Sequence, residues 1–254
     1  MRNQAYGGAA EVRPVLIVEH ESACPPALFG AGLSSSTVDA ETVRPYRGDP
    51  VPGDLDRYDG LVVLGGAMAA WDDEVAPWLP AVRALLAGAV ARNVPTLGIC
   101  LGAQLLALAC GGRVERGAAG LEAGVNPVTV LPAADADPFF GPVGDRLGSG
   151  PWQVRHFHHD AVTALPPDAE LLVTGKVYPH QGFRVGENAW AVQYHPEVSG
   201  DGFAVWAARA EASGAVPSAA ALLAPVRAAE QTQARVAQAH AAAFVSALQP
   251  AFPG

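Results

Sequence analysis

The run Gly98-Ile99-Cys100-Leu101-Gly102-Ala103-Gln104 sets a cysteine between an apolar stretch and the start of a small-residue helix. Asn93 to Ile99, ahead of it, reads as a buried strand, and Ala103 to Ala109, behind it, as a helix. A residue at such a junction sits on a sharp turn, and the flanking glycines relieve crowding there. The turn lifts the side chain above the sheet and aims it at the first N–H groups of the helix. The positive end of the helix favours negative charge on that sulfur. A buried structural cysteine is the plainer alternative, since free cysteines are among the most buried residues.

The rest of the chain repeats the strand-then-helix order. Pro14 to Val18 reads as a buried strand, Ala27 to Leu33 as a helix, and Ser36 to Arg44 as a second strand. A strand over Leu61 to Leu64 follows, then a helix over Ala76 to Ala91 with Asp72, Asp73 and Glu74 favouring its N-terminus. Alternation of this kind implies a doubly wound, mostly parallel central sheet with helices on both faces. Cys100 then falls at the carboxyl end of a central strand, where such sheets bind ligands. Val125 to Tyr194 shows several short strands and few helix signals, and reads as an antiparallel extension.

That extension ends in Trp190-Ala191-Val192-Gln193-Tyr194-His195-Pro196-Glu197. Pro196 cannot donate to a ladder, so the strand stops and His195 stands at its end. Glu197 is two residues on. A cysteine, a histidine and a carboxylate are the parts of a thiol acyl-transfer triad. In that reading Cys100 attacks, His195 takes and returns the proton, and Glu197 orients the imidazole.

The two segments together resemble the class I glutamine amidotransferases, whose nucleophile lies in a G-[IV]-C-x-G-x-Q elbow and whose base lies in a late Q-[FY]-H-P-E. Both patterns are present without a gap, and the resemblance runs from about Val15 to about Val198. It is strongest to the glutaminase domains of GMP-synthase type, particularly the stand-alone ones. The resemblance implies the flavodoxin-like amidotransferase fold over residues 1–213, followed by an alanine-rich helical extension over 214–254. That tail reads as one long helix or a helical pair, packed on its own domain or offered to a partner.

Further stretches fit the resemblance. Asp59-Gly60-Leu61-Val62-Val63-Leu64-Gly65-Gly66 is similar to the family's strand and oxyanion loop, which assigns the hole to the N–H groups of Gly66 and Leu101. Ala67 stands where the family has proline, which implies a less rigid loop. His158-His159-Asp160 is similar to the family's H-G-D, so His158 and Asp160 are expected beside the substrate with Gln104. His159 replaces the glycine, which implies strain if that position has positive φ, or a reshaped loop. A polar surface loop is the alternative for His156, His158 and His159. A metal site is the poorer reading, because no cysteine or carboxylate at the usual zinc spacing accompanies them. Tyr178 to Gly186 and Glu122 to Val128 resemble two further family strands and read as scaffold. For Gln104, capping of nearby backbone is the alternative.

Composition narrows the partners. Half of the 254 residues are hydrophobic, enough for a sizeable core, and the net charge is −9. No basic stripe suggests nucleic acid, and no stretch reaches the length of a membrane span. Three cysteines, Cys24, Cys100 and Cys110, form no disulfide framework and suit a reducing compartment. Cys110 reads as core and Cys24 as loop or helix start. Met1 to Ala10 lacks the apolar centre of a signal peptide, so a cytoplasmic protein is expected.

The activity implied is hydrolysis of glutamine's side-chain amide through a γ-glutamyl thioester, with no metal or organic cofactor. A synthetase partner would take up the ammonia. The sequence holds no glycine- and serine-rich phosphate loop, so GMP formation by this chain alone is not expected. Two alternatives stay open: a hydrolase of another γ-glutamyl amide or peptide, and a non-catalytic regulatory protein of the same fold.

Overall fold

Val15, Leu16, Ile17 and Val18 are all fully buried, although alternate side chains of a strand point to opposite faces. A strand buried on both faces needs a layer on each, and that is the architecture of the computed structural model, which describes residues 13–248. The Met1–Ala10 segment lies outside the described residues. The strands are β1 (Val15–Val18), β2 (Ala40–Val43), β3 (Gly60–Val63), β4 (Thr96–Ile99), β5 (Arg113–Arg116), β6 (Glu122–Val130), β7 (Trp152–His158), β8 (Asp160–Ala164), β9 (Ala169–Gly175), β10 (Gly182–Val185) and β11 (Ala189–Val192). The helices are α1 (Ala27–Ser35), α2 (Leu79–Ala91), α3 (Leu101–Ala109), α4 (Phe140–Leu147), α5 (Gly200–Ala212), α6 (Ala219–Ala228) and α7 (Glu230–Leu248).

Nine strands form one sheet in the order β2-β1-β3-β4-β11-β10-β9-β6-β7. The first five run parallel. The remaining four add on antiparallel. β5 and β8 pair separately as a small antiparallel ribbon. Val15 and Ile17 face a core shared with α1, α4 and α7. Leu16 and Val18 face a second core shared with α2 and α3. Each fully buried aliphatic side chain contributes roughly 1.5–3 kcal/mol over its exposed state. A smaller third core joins α5 and α6 to Cys24 and Val198. The doubly wound sheet expected from the alternation is thus present, with its antiparallel extension.

Details depart from the sequence pattern for local reasons. β2 spans only Ala40–Val43, because Ser36 closes α1 and Thr37 takes a positive φ of 60°. α2 starts at Leu79 rather than Ala76. Pro80 has no N–H to give a preceding turn and is tolerated only in the first turn of a helix. Asp73 then pairs with Arg83 at 2.6 Å, and Asp72 accepts the Ala69 N–H at 2.9 Å, so neither serves the helix start. α4 appears inside the stretch read as strands. Its Gly141, Pro142 and Gly144 hide it in the sequence, and the buried Asp137 carboxylate supports its start by accepting the Phe139 and Phe140 N–H groups.

The alanine-rich tail is a helical pair. Val236, Ala239, Ala241, Ala243 and Phe244 of α7 lie in the same core as β1 and β3. Small residues let α7 approach closely: a Cβ on Gly32 of α1 would stand 2.5 Å from Ala241 Cβ. Among the described residues no helix is long and apolar enough to cross a membrane.

Candidate active site

The elbow forms as the glycines require. Cys100 ends β4 and caps α3 with φ 51° and ψ −104°, a conformation that L residues avoid. Its N–H donates to Val192 O at 2.8 Å, and its carbonyl accepts the Gln104 N–H at 3.0 Å. A Cβ on Gly98 would lie 2.6 Å from Gly102 O, and one on Gly102 would lie 2.0 Å from Val63 O. Only glycine lets helix and strands approach this closely.

β11 lies parallel beside β4, with Val192 opposite Ile99. The chain leaving β11 therefore passes Cys100. The His195 N–H donates to Arg155 O at 2.8 Å, which fixes the backbone there. The His195 side chain is hydrogen-bonded through Nδ1 to Glu197 Oε1 at 2.7 Å and lines the same cavity as Cys100. Its ring also packs against Trp206, with centroids 4.7 Å apart. Burial pulls the imidazole pKa down, but the Glu197 and Cys100 charges outweigh it and raise the value to about 10.

Gly65 and Gly66 follow β3. A Cβ on Gly65 would meet His195 Cε1 at 3.1 Å, and one on Gly66 would meet Leu101 Cδ2 at 2.9 Å. Gly66 and Ala67 line the same cavity as Cys100 and His195. The Leu101 N–H opens α3, and the first N–H groups of a helix have no intrahelical partner.

This cavity, of about 360 Å³, also takes in Gln104, His158, His159 and Asp160 from the expected set. Gln104 Nε2 donates to Asp160 O at 2.9 Å and to Gln193 Oε1 at 3.1 Å. Asp160 pairs with Arg116 at 3.0 Å. Among the described residues the non-glycine positions of positive φ are Ala27, Thr37, Asn93 and Cys100, and His159 is not one of them, so the strain expected for it does not arise. Its carbonyl accepts the Gly117 N–H at 2.8 Å. Cys110 is only half-buried, whereas Cys24 is buried and lines the cavity.

His156 and His158 do not lie on a surface loop. Both are buried in β7, beside the buried Glu122 of β6. His158 Nε2 stands 3.1 Å from Glu122 Oε2, and its Nδ1 stands 3.0 Å from Asp160 O. Gln181 Nε2 donates to the same carboxylate oxygen at 3.0 Å. Burial raises the Glu122 pKa, but His158, His156 and Gln181 outweigh it and hold the carboxyl below its usual range. Behind them the buried Arg155 donates to Val198 O at 2.5 Å and Val226 O at 3.3 Å, and pairs with Glu230 at 2.5 Å. Arg155 and Trp206 carry no signal in the sequence beyond their place in a strand and a helix, and Glu122 is legible there only as the first residue of a strand read as scaffold.

A doubly wound sheet with a cysteine elbow at its carboxyl edge and a histidine delivered by the neighbouring strand defines a class of thiol-bearing α/β proteins. The chain belongs to the class I glutamine amidotransferase family, whose model matches residues 32–204. Gamma-glutamyl peptidase 3 of Arabidopsis thaliana is 30% identical over 148 residues, 58% of this chain and 58% of that protein. A glutamine-hydrolyzing GMP synthase subunit from Natronomonas pharaonis is 33% identical over 174 residues, 68% of this chain and 79% of that one. The crystal structure of a glutamine amidotransferase from Methylobacillus flagellatus superposes with a TM-score of 0.81 at 28% identity, covering 94% of this chain and 96% of that one.

Proposed function

We propose that this protein hydrolyses a γ-glutamyl amide, with glutamine as the first substrate to consider. The observation that carries this reading is the buried His195–Glu197 pair, with Nδ1 to Oε1 at 2.7 Å, in one cavity with Cys100 on its strained elbow. With its pKa at about 10, His195 holds a proton at neutral pH. The Cys100 sulfur attacks the side-chain carbonyl carbon, and the carbonyl oxygen becomes an oxyanion. The N–H groups of Gly66 and Leu101 receive that oxyanion; one such donor is worth roughly two to three orders of magnitude in rate. The C–N bond then breaks, His195 passes its proton to the nitrogen, and ammonia leaves. Water, deprotonated by His195, cleaves the thioester and releases glutamate. Glu197 keeps the imidazole oriented throughout. Gln104, His158 and Asp160 shape the wall against which the substrate lies. His158 does so without a free ring nitrogen, since both face protein groups.

The likeness to a GMP synthase subunit supports transfer of the ammonia to a separate synthetase. A second reading, hydrolysis of γ-glutamyl peptides, is favoured by the cavity. Its 360 Å³ falls within the size range of sites for drug-sized ligands, larger than glutamine alone requires. Three free thiols support a reducing, cytoplasmic setting. Ammonia and glutamate release from glutamine, measured beside release from γ-glutamyl dipeptides, separates the two readings. Turnover of neither substrate, or equal turnover by Cys100→Ala, overturns both.

A further inference from the structure

We propose that Glu122, His156 and His158 form a binding site for a divalent cation of the zinc type. The register of β6 and β7 builds it: Glu122 stands opposite His158, and Gly124 opposite His156. Positions two apart on a strand share a face, so all three donors fall on one side of the sheet. His158 Nε2 and His156 Nδ1 lie 3.1 and 3.6 Å from Glu122 Oε2, and the three donor atoms lie within 4.8 Å of one another. Zinc bonds of about 2.0–2.2 Å in a tetrahedron place neighbouring ligand atoms about 3.4 Å apart. Two histidines and one glutamate are also a donor set that zinc takes in proteins, with a fourth position left open.

Hydrogen bonding points the same way. His156 is 1% exposed, and neither of its ring nitrogens makes a hydrogen bond of full geometry, the Asn126 backbone being its only marginal partner among the described residues. A buried polar atom left unpaired calls for a water, an ion or a function. Both neighbours of the His158 ring are acceptors, the Asp160 carbonyl and the Glu122 carboxylate. Nδ1 meets the carbonyl only as a donor. A neutral ring then turns the bare lone pair of Nε2 toward a carboxylate oxygen. An added proton on His158 would relieve that pair and leave His156 stranded. A cation held by all three relieves both at once. The outer contacts are those of a metal centre: Asp160 O fixes the His158 tautomer, and Gln181 Nε2 holds the carboxylate. His158 also lines the Cys100 cavity, which gives the ion a way in.

The test uses full-length Cys100→Ala, because the Cys100–His195 pair would itself bind zinc. The protein is stripped with chelator and titrated with Zn²⁺ by calorimetry, beside the same protein carrying His156→Gln or Glu122→Gln. Circular dichroism melts identify which variants are folded. The expected result is one saturable equivalent in the parent, weakened in either variant by at least the roughly ten- to hundredfold that loss of an outer-shell partner costs. X-ray absorption of the loaded parent should show nitrogen and oxygen neighbours alone. No saturable binding, equal binding in the folded variants, or a sulfur neighbour overturns the proposal. None of these readouts depends on hydrolysis.

Discussion

At the parallel edge of the sheet, each reactive group hangs from the carboxyl end of a strand and owes its position to a short run of backbone. Cys100 stands at φ 51° because Gly98 and Gly102 let β3, β4 and α3 close around it. His195 lies three residues beyond β11, which ends at Val192 and so stops well before Pro196, contrary to the proline-stop reading of the sequence. In the antiparallel half, Glu122, His156 and His158 meet because two strands pair in one register. The first arrangement is local and carries its strain in the backbone of Cys100, and the second is long-range and set by strand register. Chemistry placed by a turn can be read from a few neighbouring letters, whereas chemistry placed by register needs the pairing itself.

Mutation can break this contrast, and the largest effect belongs to the elbow. Cys100→Ala should lower turnover by roughly a millionfold, the scale of losing a triad nucleophile, with the fold retained by circular dichroism. Residual turnover near the wild-type level would move the chemistry away from the parallel edge. Glu197→Gln comes next, with kcat reduced by roughly 10²- to 10⁴-fold and a changed pH profile. The folded pKa of His195, about 10, exceeds its ordinary value of 6.5. Its stabilisation is therefore complete below pH 6.5 and is lost as pH rises through about 10. In Glu197→Gln burial is less opposed, so thermal melts should show that alkaline loss at lower pH. An unmoved profile would show that Glu197 does not set the imidazole charge.

Phe244→Ala tests whether the parallel half depends on the tail. Phe244 is fully buried and lies 6.0 Å, centroid to centroid, from Phe29. Removing it should cost about 3–5 kcal/mol in chemical denaturation, and a loss below about 1 kcal/mol would make α7 an ornament of the fold. The smallest effect belongs to the wall. Gln104→Leu breaks its bonds to Asp160 O and Gln193, and should raise KM by up to roughly tenfold at little changed kcat. A fall confined to kcat would assign Gln104 to the reacting atoms.

Much of the parallel half is legible in the sequence, since buried strands and an elbow are each written in adjacent residues, whereas the strand before His195 ends at Val192 rather than at Pro196. The element ends are less so. Pro80 moves the start of α2, and α4 forms from poor helix residues because Asp137 supports its first turn. The wall misleads in a single physical respect. A histidine-rich stretch looks polar and exposed, but its burial depends on a carboxylate from another strand that no spacing rule connects to it. His159 looks strained in a glycine's place, yet its φ there is negative and asks nothing special of the residue.

Arg155 holds a consequence for the order of synthesis. Its guanidinium, walled in beneath the segment that carries His195, finds among the described residues its one ion pair at Glu230. A growing chain that already contains Cys100, His195 and Glu197 still carries this charge without its direct ion-pair partner. The clamp closes when α7 arrives, so a helix translated after the reactive residues sets the moment at which the earlier parts are locked into one working arrangement.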